Sequence, residues 1–334
     1  MENILQKLAE SKDLASKEAE GVMQALIDIN VNLIQASAIL TALRMKGETI
    51  DEITAFAKVM KQNAICIKPN SKFLVDTCGT GGDSLGTFNV STTAMFVVAG
   101  AGCAVAKHGN RATSSSCGSA DVLEHLGINI NMAPKDVERC IERIGLGFMF
   151  APIFHPAMKN VAPIRKELGI RTIFNILGPL TNPASAPSQI IGVYKPELTK
   201  KIAEVARNLG IRRALVVHGS GIDEICLHGT TKVSELVNNT IKTYEIEPKG
   251  LGLKRAEIDA IRTNSKQENV QILLDILNGK KSPHREIVLA NAGAAIYVSG
   301  KAESITEGIL LAKESIDSGN AKKKLGELIH FSER

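Results

Sequence analysis

Five stretches of this chain combine residue types and spacings that could do chemistry. Asp76-Thr-Cys-Gly-Thr-Gly-Gly-Asp83 places three glycines in four positions after an apolar run. Without Cβ atoms, successive backbone N–H groups can converge on an anion, so the stretch reads as a phosphate cradle; a glycine cluster alone serves equally well as a tight turn. It has neither the GxGxxG spacing nor the Lys-Ser/Thr pair of a Walker A loop. In Thr87-Phe-Asn-Val-Ser-Thr92, Ser91 stands where it would cap a helix running into the apolar stretch Met95 to Ala99. Such a helix start also attracts phosphate. Lys107-His-Gly-Asn-Arg-Ala-Thr-Ser-Ser-Ser-Cys-Gly-Ser119 packs two cations, an amide and five hydroxyls into thirteen residues. Lys107 and the hydroxyls suit a pyrophosphate, and Asn110 can hydrogen-bond a neutral polar group on a second substrate. His108, beside glycine, reads more readily as a loop hydrogen-bond donor than as a general base.

Two further stretches carry charge. Within Ile164 to Pro183, Arg165 and Arg171 each offer a planar fork for a carboxylate, and each reads equally as a surface arginine on an amphipathic helix. Val216-Val-His-Gly-Ser-Gly-Ile-Asp-Glu-Ile225 sets Asp223 beside Glu224 in a glycine-rich loop. Neighbouring carboxylates at a strand end suit Mg²⁺, a hard cation that keeps water and bridges substrate phosphates.

The elements that must hold these loops are legible in the periodicity. After Pro69, short apolar runs end in glycine-rich loops and give way to helical patterns, as in Phe73 to Gly82, Gly102 to Gly109 and Ala214 to Gly221. That alternation predicts a largely parallel sheet, with ligands beyond the carboxyl ends of its strands. Residues 1–70 instead show only helical spacing, through Val22, Leu26, Ile29 and Leu33 and again through Ile53, Phe56, Ala57 and Met60. Gly47 reads as a helix stop, and Thr49 with Glu52 as a capping box. A second helical stretch, Pro156 to Glu167, precedes a rigid Gly178-Pro-Leu-Thr-Asn-Pro-Ala184 crossing, so the domain boundary is expected to be discontinuous. The expected fold class is α/β: a small all-helical domain from 1–70 and about 156–185, and a large domain from 71–155 and 186–334. The large domain holds a mostly parallel central sheet flanked by helices.

Composition narrows the setting. The 334 residues exceed what one core usually serves. A net charge of +5, with both signs interspersed, fits small anionic substrates better than nucleic acid. Six cysteines without CxxC or zinc spacing read as reduced, which predicts a cytoplasmic protein. No charge falls between Asp83 and Lys107, a length that raises the question of a membrane span. Ser84, Thr87, Asn89, Ser91, Thr92 and Thr93 interrupt it, so a loop, a buried helix and a strand are expected instead, with no membrane partner. The start of the chain lacks the apolar segment of a signal peptide.

Taken together and in order, Gly79-Thr-Gly-Gly-Asp83, Asn89-Val-Ser-Thr92, Lys107-His-Gly-Asn-Arg111, Arg165 to Pro183 and Asp223-Glu224 make the chain similar, nearly end to end, to the anthranilate phosphoribosyltransferase family. The resemblance implies transfer of a phosphoribosyl group from phosphoribosyl pyrophosphate to anthranilate in tryptophan biosynthesis. It also implies two Mg²⁺ ions per subunit, a homodimer formed through the helical domain, and a possible anthranilate synthase partner. By the same resemblance, Gly79, Gly82, Asp83, Thr87, Asn89, Val90, Ser91, Thr92, Lys107, Ser115 and Ser119 surround phosphoribosyl pyrophosphate. Gly79, His108, Asn110 and Arg165 face anthranilate, and Ser91, Asp223 and Glu224 serve Mg²⁺. Lys107, Asn110 and Arg165 are the implied catalytic set. Ser116 and Cys117 stand where many relatives carry a lysine and a serine, which removes one cation from the phosphate side. Pyrimidine nucleoside phosphorylases resemble this family in fold and glycine-rich loop, but lack a counterpart to Asp223-Glu224.

Overall fold

The computed structural model describes residues 1–28, 31–81, 85–112, 117–263 and 265–333. Ile29, Gly82, Asp83, Ser84, Ser115 and Ser116 lie outside the described residues. The first part is helical as expected: α1 (Glu2–Ala9), α2 (Ser16–Ile27), α3 (Leu33–Lys46) and α4 (Ile50–Gln62). Gly47 ends α3 at φ 85°, and Thr49 with Glu52 forms the capping box of α4. The stripe expected from Val22 to Leu33 does not continue as one face. The second helix stops at Ile27, Asn32 caps the third through its side chain, and Leu33 is 60% exposed.

Among the described residues, seven strands make one sheet in the order β3-β2-β1-β4-β5-β6-β7. They are β1 (Val75–Gly79), β2 (Val105–Gly109), β3 (Leu146–Phe150), β4 (Ser188–Gly192), β5 (Arg213–Gly219), β6 (Thr231–Val237) and β7 (Thr240–Ile246). The first five run parallel, and β6 and β7 add an antiparallel edge. Asn238 and Asn239 turn that edge hairpin at φ 50° and 61°, a conformation asparagine tolerates better than most residues. The uncharged stretch after Asp83 becomes α5 (Val90–Gly100), buried almost all round, followed by β2. No helix among the described residues is long and apolar enough to cross a membrane.

Two hydrophobic cores meet across the sheet. One contains α5, the Pro283–Ser299 helix and the inward side chains Leu215 and Val217; the other contains α2 to α4, Val161 to Leu180 and the alternate residues Ala214 and Val216. The period of two along β5 is what sends neighbouring residues to opposite faces. The Pro156 to Glu167 stretch is a 3₁₀ turn (Pro156–Asn160) followed by the Ala162–Leu168 helix. Both lie over the carboxyl end of the sheet, where the loops expected to carry chemistry gather.

Candidate active site

A cleft of about 610 Å³ opens between the carboxyl ends of β1 and β2 and the 151–179 segment. Its size falls in the ordinary range for small-molecule sites. Gly79, Thr87, Asn89, Val90, Ser91, Lys107, His108, Asn110, Arg165, Ser119, Asp223 and Glu224 all line it, so each of the five sequence stretches brings described residues to the cleft, Arg165 among them from the 164–183 stretch. Arg171 does not line the cleft, and its guanidinium stacks over Tyr194 at 4.3 Å. Thr92 is fully buried behind the wall, where its hydroxyl bonds Ser119 Oγ at 3.0 Å.

The acidic pair is seated by glycines. Asp223 passes so close to the end of β4 that a Cβ on Gly192 would fall 1.6 Å from its carbonyl oxygen, and a Cβ on Gly79 would fall 2.4 Å from its Oδ2. Only glycine admits that approach. The Asp223 carboxylate then accepts the Gly81 N–H at 2.7 Å, and Glu224 Oε1 accepts the Ser91 N–H at 3.2 Å. Below the loop, His218 donates from Nδ1 to the Val193 carbonyl at 2.7 Å, and its Nε2 accepts the Gly221 N–H at 3.2 Å. The loop is held from both sides.

Ser91 does not cap α5. Asn89 holds the N-cap position, without a side-chain capping bond, and Ser91 lies in the first turn with its hydroxyl 3.3 Å from Lys107 Nζ. The sequence placed the cap two residues late because the helix already begins at Val90, one turn before the apolar run becomes unbroken. Lys107 is 1% exposed; its ammonium also donates to the Thr77 carbonyl. Burial pushes the Lys107 ammonium down from its usual range, opposed first by Asp76 and then by Cys78, Glu224 and Asp223. Asp76 is itself wholly buried, and its Oδ2 accepts from Asn182 Nδ2 at 2.7 Å. The Lys107 amine thus lies in the floor of the cleft, facing an acidic side.

The opposite end is drier. Burial pushes the Arg165 guanidinium below its usual range, and among the described residues no hydrogen-bond acceptor engages it; it lies 5.7 Å from the Phe174 ring centre. His108 and His155 have ring centres 5.0 Å apart, and burial holds them down to about 3 and about 4. Both rings are neutral at physiological pH. His108 Nδ1 must then donate to the Gly178 carbonyl at 3.2 Å, which leaves Nε2 as an acceptor without a partner among the described residues. Asn110 is exposed on the cleft wall, with its Oδ1 taken by the Arg111 N–H at 2.8 Å.

Sequence reasoning missed His155, Met60, Phe174 and Pro179, which also line this end. Phe154-His-Pro156 has no motif, and Met60 looks like any other core position of α4. Their role arises only when the helical segment closes over the sheet.

The oxygen-only donors at Asp223, Glu224 and Ser91 fit a hard cation such as Mg²⁺. Among the described residues no three His, Cys, Asp or Glu side chains converge on one metal position. A cation here would complete its shell with water and substrate oxygens, as Mg²⁺ commonly does.

The chain matches the helical bundle domain of the glycosyl transferase family over residues 2–64 and the a/b domain of that family over residues 71–322. It is 50% identical to the anthranilate phosphoribosyltransferase of Symbiobacterium thermophilum, covering 100% of this chain and 98% of that one. The crystal structure of anthranilate phosphoribosyltransferase from Thermus thermophilus superposes with a TM-score of 0.94 at 42% identity, covering 99% of each chain. The Saccharomyces cerevisiae anthranilate phosphoribosyltransferase, solved in complex with PRPP and Mg, superposes with a TM-score of 0.90 at 31% identity, over 99% of this chain and 97% of that one.

Proposed function

Because this chain belongs to the anthranilate phosphoribosyltransferase family, we propose that it transfers the 5-phosphoribosyl group of phosphoribosyl pyrophosphate to the amine of anthranilate, a step of tryptophan biosynthesis. The observation that carries this reading is a single cleft with two unlike ends: a buried cation beside a carboxylate pair, and a desolvated arginine over an aromatic ring.

At the first end, Gly79, Thr87, Asn89, Val90, Ser91 and Ser119 would hold the donor, with Thr92 orienting Ser119. Gly82, Asp83 and Ser115 are assigned to the donor on the family resemblance alone. Asp223, Glu224 and Ser91 would hold Mg²⁺, which when bound neutralises charge on the pyrophosphate. Lys107 adds a fixed positive charge beneath the same site, where leaving-group charge grows as the bond from the anomeric carbon to pyrophosphate oxygen breaks. At the second end, Arg165 would grip the anthranilate carboxylate with a bidentate fork. Asn110 and neutral His108 would orient the amine toward the anomeric carbon. An aryl amine is unprotonated at neutral pH, so attack needs no prior deprotonation; the nitrogen loses its proton once the C–N bond has formed. The chain's main contribution is alignment.

We further read residues 1–70 with about 156–185 as the unit through which a homodimer forms in the cytoplasm. The exposure of Leu33, Ile34 and Met45 on α3, at 60%, 82% and 83%, supports that reading. The reaction is tested by following loss of anthranilate fluorescence on mixing with phosphoribosyl pyrophosphate, with and without Mg²⁺, and identifying the product by mass. Mg²⁺-dependent phosphoribosyl-anthranilate is expected; donor binding without turnover would point to a different acceptor.

A further inference from the structure

The Lys266–Leu277 helix carries a side chain that no sequence motif marks. Asn269 is 2% exposed, and its Oδ1 accepts twice from one residue: the Asn89 backbone N–H at 2.8 Å and Asn89 Nδ2 at 3.2 Å. Asn89 Nδ2 also donates to the Cys117 carbonyl at 3.1 Å. One buried amide thus ties the start of α5 to the far helix, and through Asn89 to the loop that leads into the Ser119–His125 helix.

The chain just before Asn269 reinforces the tie. The Phe88 N–H donates to the Ile261 carbonyl at 3.2 Å, the Thr263 N–H donates to the Gly86 carbonyl at 2.9 Å, and Thr87 pairs with Arg262 in an isolated antiparallel bridge. Ser265 caps the helix by accepting the Glu268 N–H at 3.1 Å, which fixes where Asn269 projects. Between Leu85 and Asn89 the chain has no regular strand or helix, so its shape depends on these contacts. A loop already held in its bound form loses less entropy when a ligand arrives.

We propose that Asn269 is a positioning residue for the phosphoribosyl donor: acting through Asn89, it holds the 86–91 wall of the cleft in donor-binding shape and leaves the acceptor end untouched. Asn269 does not itself line the cleft. This inference deepens the function proposed above and rests on it.

The test is steady-state kinetics in Asn269→Ala, varying each substrate with the other saturating. Loss of the two acceptor contacts is expected to lower kcat/KM for phosphoribosyl pyrophosphate about thirtyfold while the anthranilate KM moves less than about threefold. Asn269→Asp keeps an oxygen for both Asn89 donors and should recover most of the loss. If the alanine variant does not fold, Asn269→Ser, polar but too short to reach Asn89, is read in the same way. Equal losses toward both substrates, or an aspartate variant as impaired as the alanine one, would overturn the assignment. Wild-type turnover in the same assay reports separately on the reaction itself.

Discussion

Gly79→Ala tests the seat of the acidic pair with a single methyl group. The new Cβ would stand 2.4 Å from Asp223 Oδ2, whereas real Cβ atoms essentially never come nearer than 3.0 Å, so the carboxylate must move by at least 0.6 Å (3.0 − 2.4). It cannot retreat with its backbone, whose carbonyl already lies where a Gly192 Cβ would be. The side chain must swing, and the 2.7 Å bond from the Gly81 N–H is what it gives up. A hydrogen bond to a charged group contributes about 1.5–3 kcal/mol. At about 1.4 kcal/mol per tenfold, the concentration of Mg²⁺ giving half-maximal rate should rise roughly ten- to a hundredfold. The assay is initial velocity against Mg²⁺ with both organic substrates saturating. An unchanged Mg²⁺ half-saturation, at any level of residual activity, would refute the reasoning.

Arg165→Ala removes a desolvated guanidinium at the acceptor end. It is expected to raise the anthranilate KM at least about a hundredfold, the lower end of what two charged hydrogen bonds contribute, with the donor KM altered less than about threefold; equal effects would sink the clamp. A second expectation concerns acid stability. His108 and His155 are held at about 3 and about 4, against 6.5 for a free ring. As pH falls below 6.5 the unfolded chain binds protons that the folded chain refuses, so stability is lost on the acid side, by about 2 kcal/mol per ring at pH 5. His155→Phe removes one of these titrations and should flatten the decline in the urea midpoint between pH 6.5 and 4; a slope matching wild type would count against a neutral buried ring.

Much of this architecture was legible because local chemistry and tertiary need agree. Gly47, Thr49 and Glu52 do in the structure what their types suggest, since a cap is decided by its own neighbours. The glycine-ended runs Val105–Gly109 and Arg213–Gly219 are likewise strands. The failures occur where burial decides. β4 and β3 are five-residue pieces, the former opening with Ser188 and Gln189, that become strands only by lying beside β1 and β2. Leu33 fits an apolar stripe by spacing, yet it begins a new helix and faces outward. Arg165 and Arg171 are equivalent in sequence, and only the closing of the Ala162–Leu168 helix over the sheet sends one into the cleft. Asn269 was illegible because its partner lies 180 residues away.

The sheet is a party wall between two tenants. Leu215 and Val216 occupy adjacent codons, yet one belongs to the core around the Pro283–Ser299 helix and the other to the core that the Leu198–Asn208 helix shares with the helical bundle. Substitutions accumulating at these two positions should therefore co-vary with different parts of the protein and hardly with each other. A history of the helical bundle and a history of the catalytic floor would be written side by side in one seven-residue strand.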